Sequence, residues 1–107
     1  MLDKVILQEG SPVTMEQAVM KLLPETGSVE VQRDTPHREH KTHTHPTNET
    51  LLIISGEITF TVSGENITCT SGDRILLTAE TVHSSVAGKD GCLYIIALEF
   101  KDKKNEQ

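Results

Sequence analysis

Basic residues are the minority in this 107-residue chain: 10 lysines and arginines stand against 16 acids, a formal net charge of −6. A surface that tracks nucleic-acid phosphates needs the opposite balance, so no nucleic-acid partner is expected. Only three arginines occur, Arg33, Arg38 and Arg74, which argues against a clamp for a phosphorylated substrate. Two cysteines are too few for a disulfide framework. The longest apolar run, residues 92–98, is far short of a membrane span, and no membrane partner is expected. The opening MLDKVILQEG holds only a short apolar run behind Asp3 and Lys4, which is no secretory core; a reduced, cytoplasmic setting is the expectation. Aromatics are scarce too, at three residues, whereas Val, Ile and Thr together supply 29. Such β-branched side chains suit pleated sheets.

The chain length is that of a single domain. Ser11-Pro12 offers a helix start, and Thr14 with Gln17 offers an overlapping capping box. Met15, Ala18, Val19 and Leu22 then fall at i, i+3, i+4 and i+7, Leu23 widens the apolar face, and Pro24 stops it. Residues 1–27 therefore read as an edge strand (2–8) and one short helix. Residues 28–100 read as short strands near 29–33, 39–45, 50–54, 57–63, 66–70, 74–78, 83–87 and 92–100. Turn signals separate them, among them Ser55-Gly56, Ser71-Gly72-Asp73 and Gly88-Lys89-Asp90-Gly91. Residues 101–107 form a charged tail that should fray. Many short strands with tight turns indicate an all-β sandwich or barrel.

Two strands break the half-buried pattern. Leu51-Leu52-Ile53-Ile54 is apolar on both faces, and 92–98 is nearly so. Each needs a second covering layer, and a homodimer interface with the helix contributing is the expectation. Cys69 and Cys92 sit on apolar strand faces and read as buried, inert thiols.

Histidine is the most uneven residue: four of five lie between 37 and 45. His43 and His45 are one residue apart, which on a strand puts both on one face, about 6.6–7 Å apart, able to converge on one ion. Pro46-Thr47-Asn48 reads as a turn, after which Glu49 shares parity with Leu51 and Ile53 and points inward. An inward carboxylate is costly unless paired or metal-bound. His40 has the opposite parity to His43 and should face solvent. His37 reads as a bystander, the alternative being a pocket-rim or second metal contact.

The pattern His43-x-His45-x3-Glu49-x6-Gly56 resembles the first signature of the cupin superfamily, and Gly72-x5-Thr78-x-Glu80-x2-His83 resembles the second. The 15 residues between Gly56 and Gly72 are similar to the spacing of small single-domain cupins. The resemblance, over residues 37–87, implies a double-stranded β-helix, a jelly-roll barrel, here with a short N-terminal α-helix. It also implies that His43, His45, Glu49 and His83 ligate one divalent transition metal: Fe, Mn, Ni, Co or Zn. Mixed N/O ligation does not choose among these and leaves positions open on the ion. The chain departs from the second signature where Thr78 and Glu80 replace Pro and Gly, so the loop at 78–82 is expected to be looser. Phe60 and Tyr94 are the candidate pocket-liners, and no further acid, base or anion clamp is evident at the barrel mouth. The expected function is a metal-dependent enzyme acting on a small molecule, dioxygenase-like first, isomerase- or lyase-like with a non-redox ion. The alternative is a non-catalytic ligand-binding or sensing module with a structural metal.

Overall fold

In the computed structural model, which describes residues 5–99, the elements follow in the order β1 (Val5–Gln8), α1 (Met15–Leu22), β2 (Gly27–Asp34), β3 (Glu39–His43), β4 (Asn48–Val62), β5 (Glu65–Thr70), β6 (Arg74–Leu77) and β7 (His83–Glu99). The expected tail at 101–107 lies outside the described residues. Two strands are far longer than the sequence suggests: β4 has 15 residues and β7 has 17. Ser55-Gly56 and Gly88–Gly91, read from the sequence as turns, are bends within these strands. The ladder between them shifts register at Ile53/Ser55 and again at Gly56/Ile58. Gly56 (φ 83°) and Gly91 (φ 78°) make the bend possible, because a Cβ at Gly56 would lie 2.2 Å from the Gly91 carbonyl oxygen.

Each long strand therefore serves two sheets. The first half of β4 pairs with β6 and with the second half of β7, while β1 and β2 extend this sheet at either end. The second half of β4 pairs with β5 and with the first half of β7, which in turn pairs with β3. All pairings are antiparallel, and the sheets face each other as a double-stranded β-helix with one helix outside. Ile53, Ile58, Phe60, Ile75, Leu77 and Tyr94 belong to the buried core between the sheets. Cys69 and Cys92 lie in that core, where burial pushes both thiols up to about 12. Neither forms a disulfide, and at neutral pH both stay protonated and weakly nucleophilic.

The outer apolar face is covered within the chain. Leu52, Ile95 and Ala97 form a second cluster with Ala18 and Leu22 of α1, and Val19, Val29 and Ile54 pack around it. The capping box is complete: the Gln17 amide N–H donates to Thr14 Oγ1 at 3.1 Å, and the Thr14 N–H donates to Gln17 Oε1 at 3.0 Å. The helix thus makes the contribution expected of it to the cover over the two-sided strands. Leu23, expected to widen the helix face, instead caps the helix C-terminus with its N–H on the Val19 carbonyl and is exposed, as is Met20. Among the described residues no helix is long and apolar enough to cross a membrane.

Candidate metal centre

His43 ends β3 and His83 opens β7, and the antiparallel register places them directly opposite each other. His45 lies two residues beyond the end of β3, so the same-face strand argument does not cover it; the backbone brings it in by another route. Its carbonyl accepts the Glu80 N–H at 2.7 Å, which ties this segment to the loop before β7. The three rings meet with centroids 4.4 Å (His43–His83), 4.6 Å (His43–His45) and 5.2 Å (His45–His83) apart. One nitrogen from each lies within 4.8 Å of the others, close enough for a single ion to join them.

The loop at 78–82 is well tied despite lacking Pro and Gly. Thr78 and Thr81 hydroxyls are 2.8 Å apart, the Thr81 N–H donates to the Thr78 carbonyl, and the Ala79 N–H donates to Asn48 Oδ1 at 2.8 Å. Glu80 adopts φ 65°, the left-handed conformation that glycine takes without strain.

Each imidazole of the cluster is oriented through Nδ1. His43 Nδ1 donates to the Lys41 carbonyl and His83 Nδ1 donates to the Thr81 carbonyl at 2.9 Å. A carbonyl only accepts, so both rings carry hydrogen on Nδ1 and offer Nε2 as a lone pair. His45 Nδ1 lies 3.0 Å from Glu49 Oε2, and with Glu49 ionised its Nε2 is free in the same way. Burial, and then the neighbouring imidazoles, lowers the proton affinity of His45. Burial lowers that of His83, where the Thr81 bond opposes it and His43 adds to it. Neutral imidazoles are the form a metal requires. Glu49 is raised to about 7, by burial first and then by Glu30.

These donors fit a divalent transition ion, since three Nε2 lone pairs and a nearby carboxylate match the preferences of Zn, Fe, Ni, Co or Mn. Beside them lies a cavity of about 310 Å³, lined by Glu49, Phe60 and Tyr94 among others. That volume is at the lower end of the range for small-molecule sites, about 300–1,000 Å³. The centroid of the Phe60 ring is 6.5 Å from that of His83.

The cavity also holds groups the sequence reading did not place there. Glu30, Gln32, His40 and Ser85 all line it. His40 was expected to face solvent; a bulge corrects this. Between His40↔Ser85 and His43↔His83, β3 advances three residues while β7 advances two, so His40 turns inward. Its Nε2 is 3.0 Å from both carboxylate oxygens of the buried Asp34, whose Oδ2 also accepts the Tyr94 hydroxyl at 3.0 Å. The expectation of no further acid or base at the mouth is likewise corrected. The available signal is the alternation Glu30-x-Gln32-x-Asp34: Glu30 and Gln32 line the cavity and Asp34 is buried, while Val31 is exposed. His37 sits at φ 63° in an exposed turn outside the cavity, its N–H on the Gly88 carbonyl.

Fold and site together define a small β-barrel with a three-imidazole cluster that could bind a metal. The Cupin domain family (Cupin_2) matches residues 28–97, and the chain belongs to that family. No curated protein matches the chain. Among solved structures, it is similar to a double-stranded β-helix domain protein from Klebsiella pneumoniae (TM-score 0.60, 24% identity, 66% of this chain and 64% of that one). It is also similar to a cupin superfamily protein from Desulfitobacterium hafniense (TM-score 0.61, 15% identity, 91% and 79%). A third likeness is to the DMSP lyase DddQ from Ruegeria pomeroyi (TM-score 0.66, 17% identity, 72% and 40%). The chain therefore spans under two thirds of the Klebsiella protein and two fifths of the lyase.

Proposed function

We propose that this chain is a metal-dependent enzyme acting on one small molecule, with a divalent transition ion held by His43, His45 and His83 and completed by Glu49. The observation that carries the reading is three converging imidazoles, each oriented through Nδ1, at the wall of an open cavity. Glu49 Oε2 lies 3.0 Å from His45 Nδ1, so the carboxylate stands beside the three-imidazole group and orients one of its rings. When bound, the ion would supply Lewis-acid polarisation or, if it is iron, redox chemistry. Leu51, Phe60 and Leu77 give the cavity an apolar wall that limits water, while Glu30, Ser85 and Gln32 offer polar contacts. Ionisable groups around the ligand space favour proton-transfer chemistry, an elimination or isomerisation, and the lyase activity named for the Ruegeria neighbour is of that kind.

The second reading is dioxygenase-like, supported by a nitrogen-rich, mixed donor set that suits Fe(II). One experiment separates the readings. Protein purified without a metal column is analysed for metal, reconstituted with Fe(II) or Zn(II), and assayed on a panel of small hydroxy, thio and keto acids. Product formation without oxygen uptake supports the first reading, and oxygen consumption with Fe(II) only supports the second. Ligand-dependent thermal stabilisation without turnover would overturn both in favour of a binding module. We further propose a cytoplasmic setting, consistent with two buried free thiols, and a homodimer, supported by exposed Met20, Leu23 and Val31 and checked by mass in solution.

A further inference from the structure

Four imidazoles line the cavity, and one is oriented in the opposite sense. In His43, His45 and His83 the engaged atom is Nδ1; in His40 it is Nε2, held 3.0 Å from both oxygens of Asp34. Asp34 is 2% exposed, and Tyr94, itself buried, donates its hydroxyl to Oδ2. A buried carboxylate that receives a tyrosine O–H and an imidazole N–H fixes the imidazole's tautomer and orientation. His40 therefore has Nδ1 as its unengaged nitrogen. No buried side-chain nitrogen or oxygen among the described residues lacks a partner, so Nδ1 is open to solvent or ligand. His40 itself is 26% exposed and forms part of the cavity wall.

We infer that His40 is the proton acceptor of the cavity, positioned by Asp34 and Tyr94, for a ligand that enters as a neutral weak acid and is held as its anion. The lining supports this ligand class. Among the described residues it contains no lysine or arginine, while Glu30 and Glu49 are both present, so an anion arriving from solvent meets carboxylates. A thiol, enol or similar acid X–H meets no such barrier. The X–H bond breaks, its electron pair stays on X, and the proton forms an N–H bond at His40 Nδ1. The resulting imidazolium is paired with the Asp34 carboxylate. The groups around His40 are Asp34 from β2, Tyr94 and Ser85 from β7, Glu39 and Lys41 beside it on β3, and Arg38 just before β3, whose positive charge acts on Tyr94. Asp34 is a positioning residue in this scheme, since it acts through His40.

The inference rests on the metal site only for retention of the anion, and its test has two arms. In metal-free protein, long-range 15N NMR should show His40 as the Nε2–H tautomer with Nδ1 unprotonated; Asp34→Asn should mix the tautomers. A dominant Nδ1–H form in the native protein overturns the inference, whatever metal binds. In zinc-loaded protein, 2-mercaptoethanol is titrated calorimetrically in two buffers of different ionisation enthalpy, at pH 7, where a free thiol is mostly protonated. Native protein should release fewer protons per bound thiol than His40→Gln, by up to one. Equal release overturns the inference. Failure of the metal reading has a separate signature: zinc stoichiometry unaffected by His83→Ala.

Discussion

His43 faces His83 across the β3–β7 ladder with ring centroids 4.4 Å apart, so strands from distant parts of the sequence supply adjacent donors. His83→Ala removes the most buried donor of the three without touching the other two. Losing a hydrogen-bonding neighbour of a ligand costs about 10–100-fold in affinity, and loss of the ligand itself should exceed that. Competition against a chromophoric chelator should show Zn(II) or Co(II) affinity falling by more than about 100-fold. Unchanged affinity would place the ion elsewhere.

Acid stability should report Glu49. Its proton affinity is raised from 4.5 to about 7, so it contributes stability that is fully present below about 4.5 and lost as pH rises through about 7. His45 and His83 are lowered from 6.5 and act in the opposite sense, their stability present above 6.5 and lost on acidification. In metal-free native protein the two effects offset each other. Glu49→Gln removes the carboxylate's share, so urea unfolding between pH 7.5 and 4.5 should lose stability more steeply, by up to about 3 kcal/mol. Parallel pH profiles would contradict this.

The bends in the long strands should tolerate no side chain. Gly91 has φ 78°, and a Cβ there would lie 2.5 Å from the Asp34 carbonyl oxygen. Gly64 has φ 81° but open space around it. Gly64→Ala should cost about 1–2 kcal/mol, the conformational part alone. Gly91→Ala should cost clearly more in urea unfolding, because backbone atoms must also move. Similar costs would mean that the bend relaxes freely.

Leu52 is 3% exposed and packs in the outer cluster under α1. Leu52→Ala should cost about 2–5 kcal/mol, the range for a buried leucine left as a cavity. Because α1 covers this site within the chain, the loss should be independent of protein concentration. A concentration-dependent loss would show that a second copy shares the cover.

Much of this was legible in the sequence because the signals are local. The capping box at Thr14 and Gln17 and the alternation Ile58, Phe60, Val62 carry their own geometry, and the cupin pattern locates His43, His45 and His83. The length of the two long strands is not legible because Gly56 and Gly91 punctuate a turn and a barrel bend alike; only the partner strand decides which. Apolar periodicity at Leu52 and Ile95 shows that a face is covered but not by what; α1 packs on it within the chain. The inward orientation of His40 is not legible either, because strict two-residue parity fails at a bulge, and a bulge is a relation between strands. The alternation Glu30-x-Gln32-x-Asp34 marks a common face but not what Asp34 pairs with, since its partners Tyr94 and His40 are 60 and 6 residues away.

That bulge has a consequence for how such a barrel changes over generations. Smoothing the bulge at unchanged strand length, with His43 still opposite His83, would put Lys41 opposite Ser85 and swing the fourth imidazole to the outer wall. Asp34 would then lose one of its two donors. The ion-binding rings and the acid–base group are therefore separable by a change of strand register alone, with no ligand residue replaced. The pairing of this one strand with its neighbour sorts barrels that share the histidine pattern into those that carry the extra group inside and those that do not.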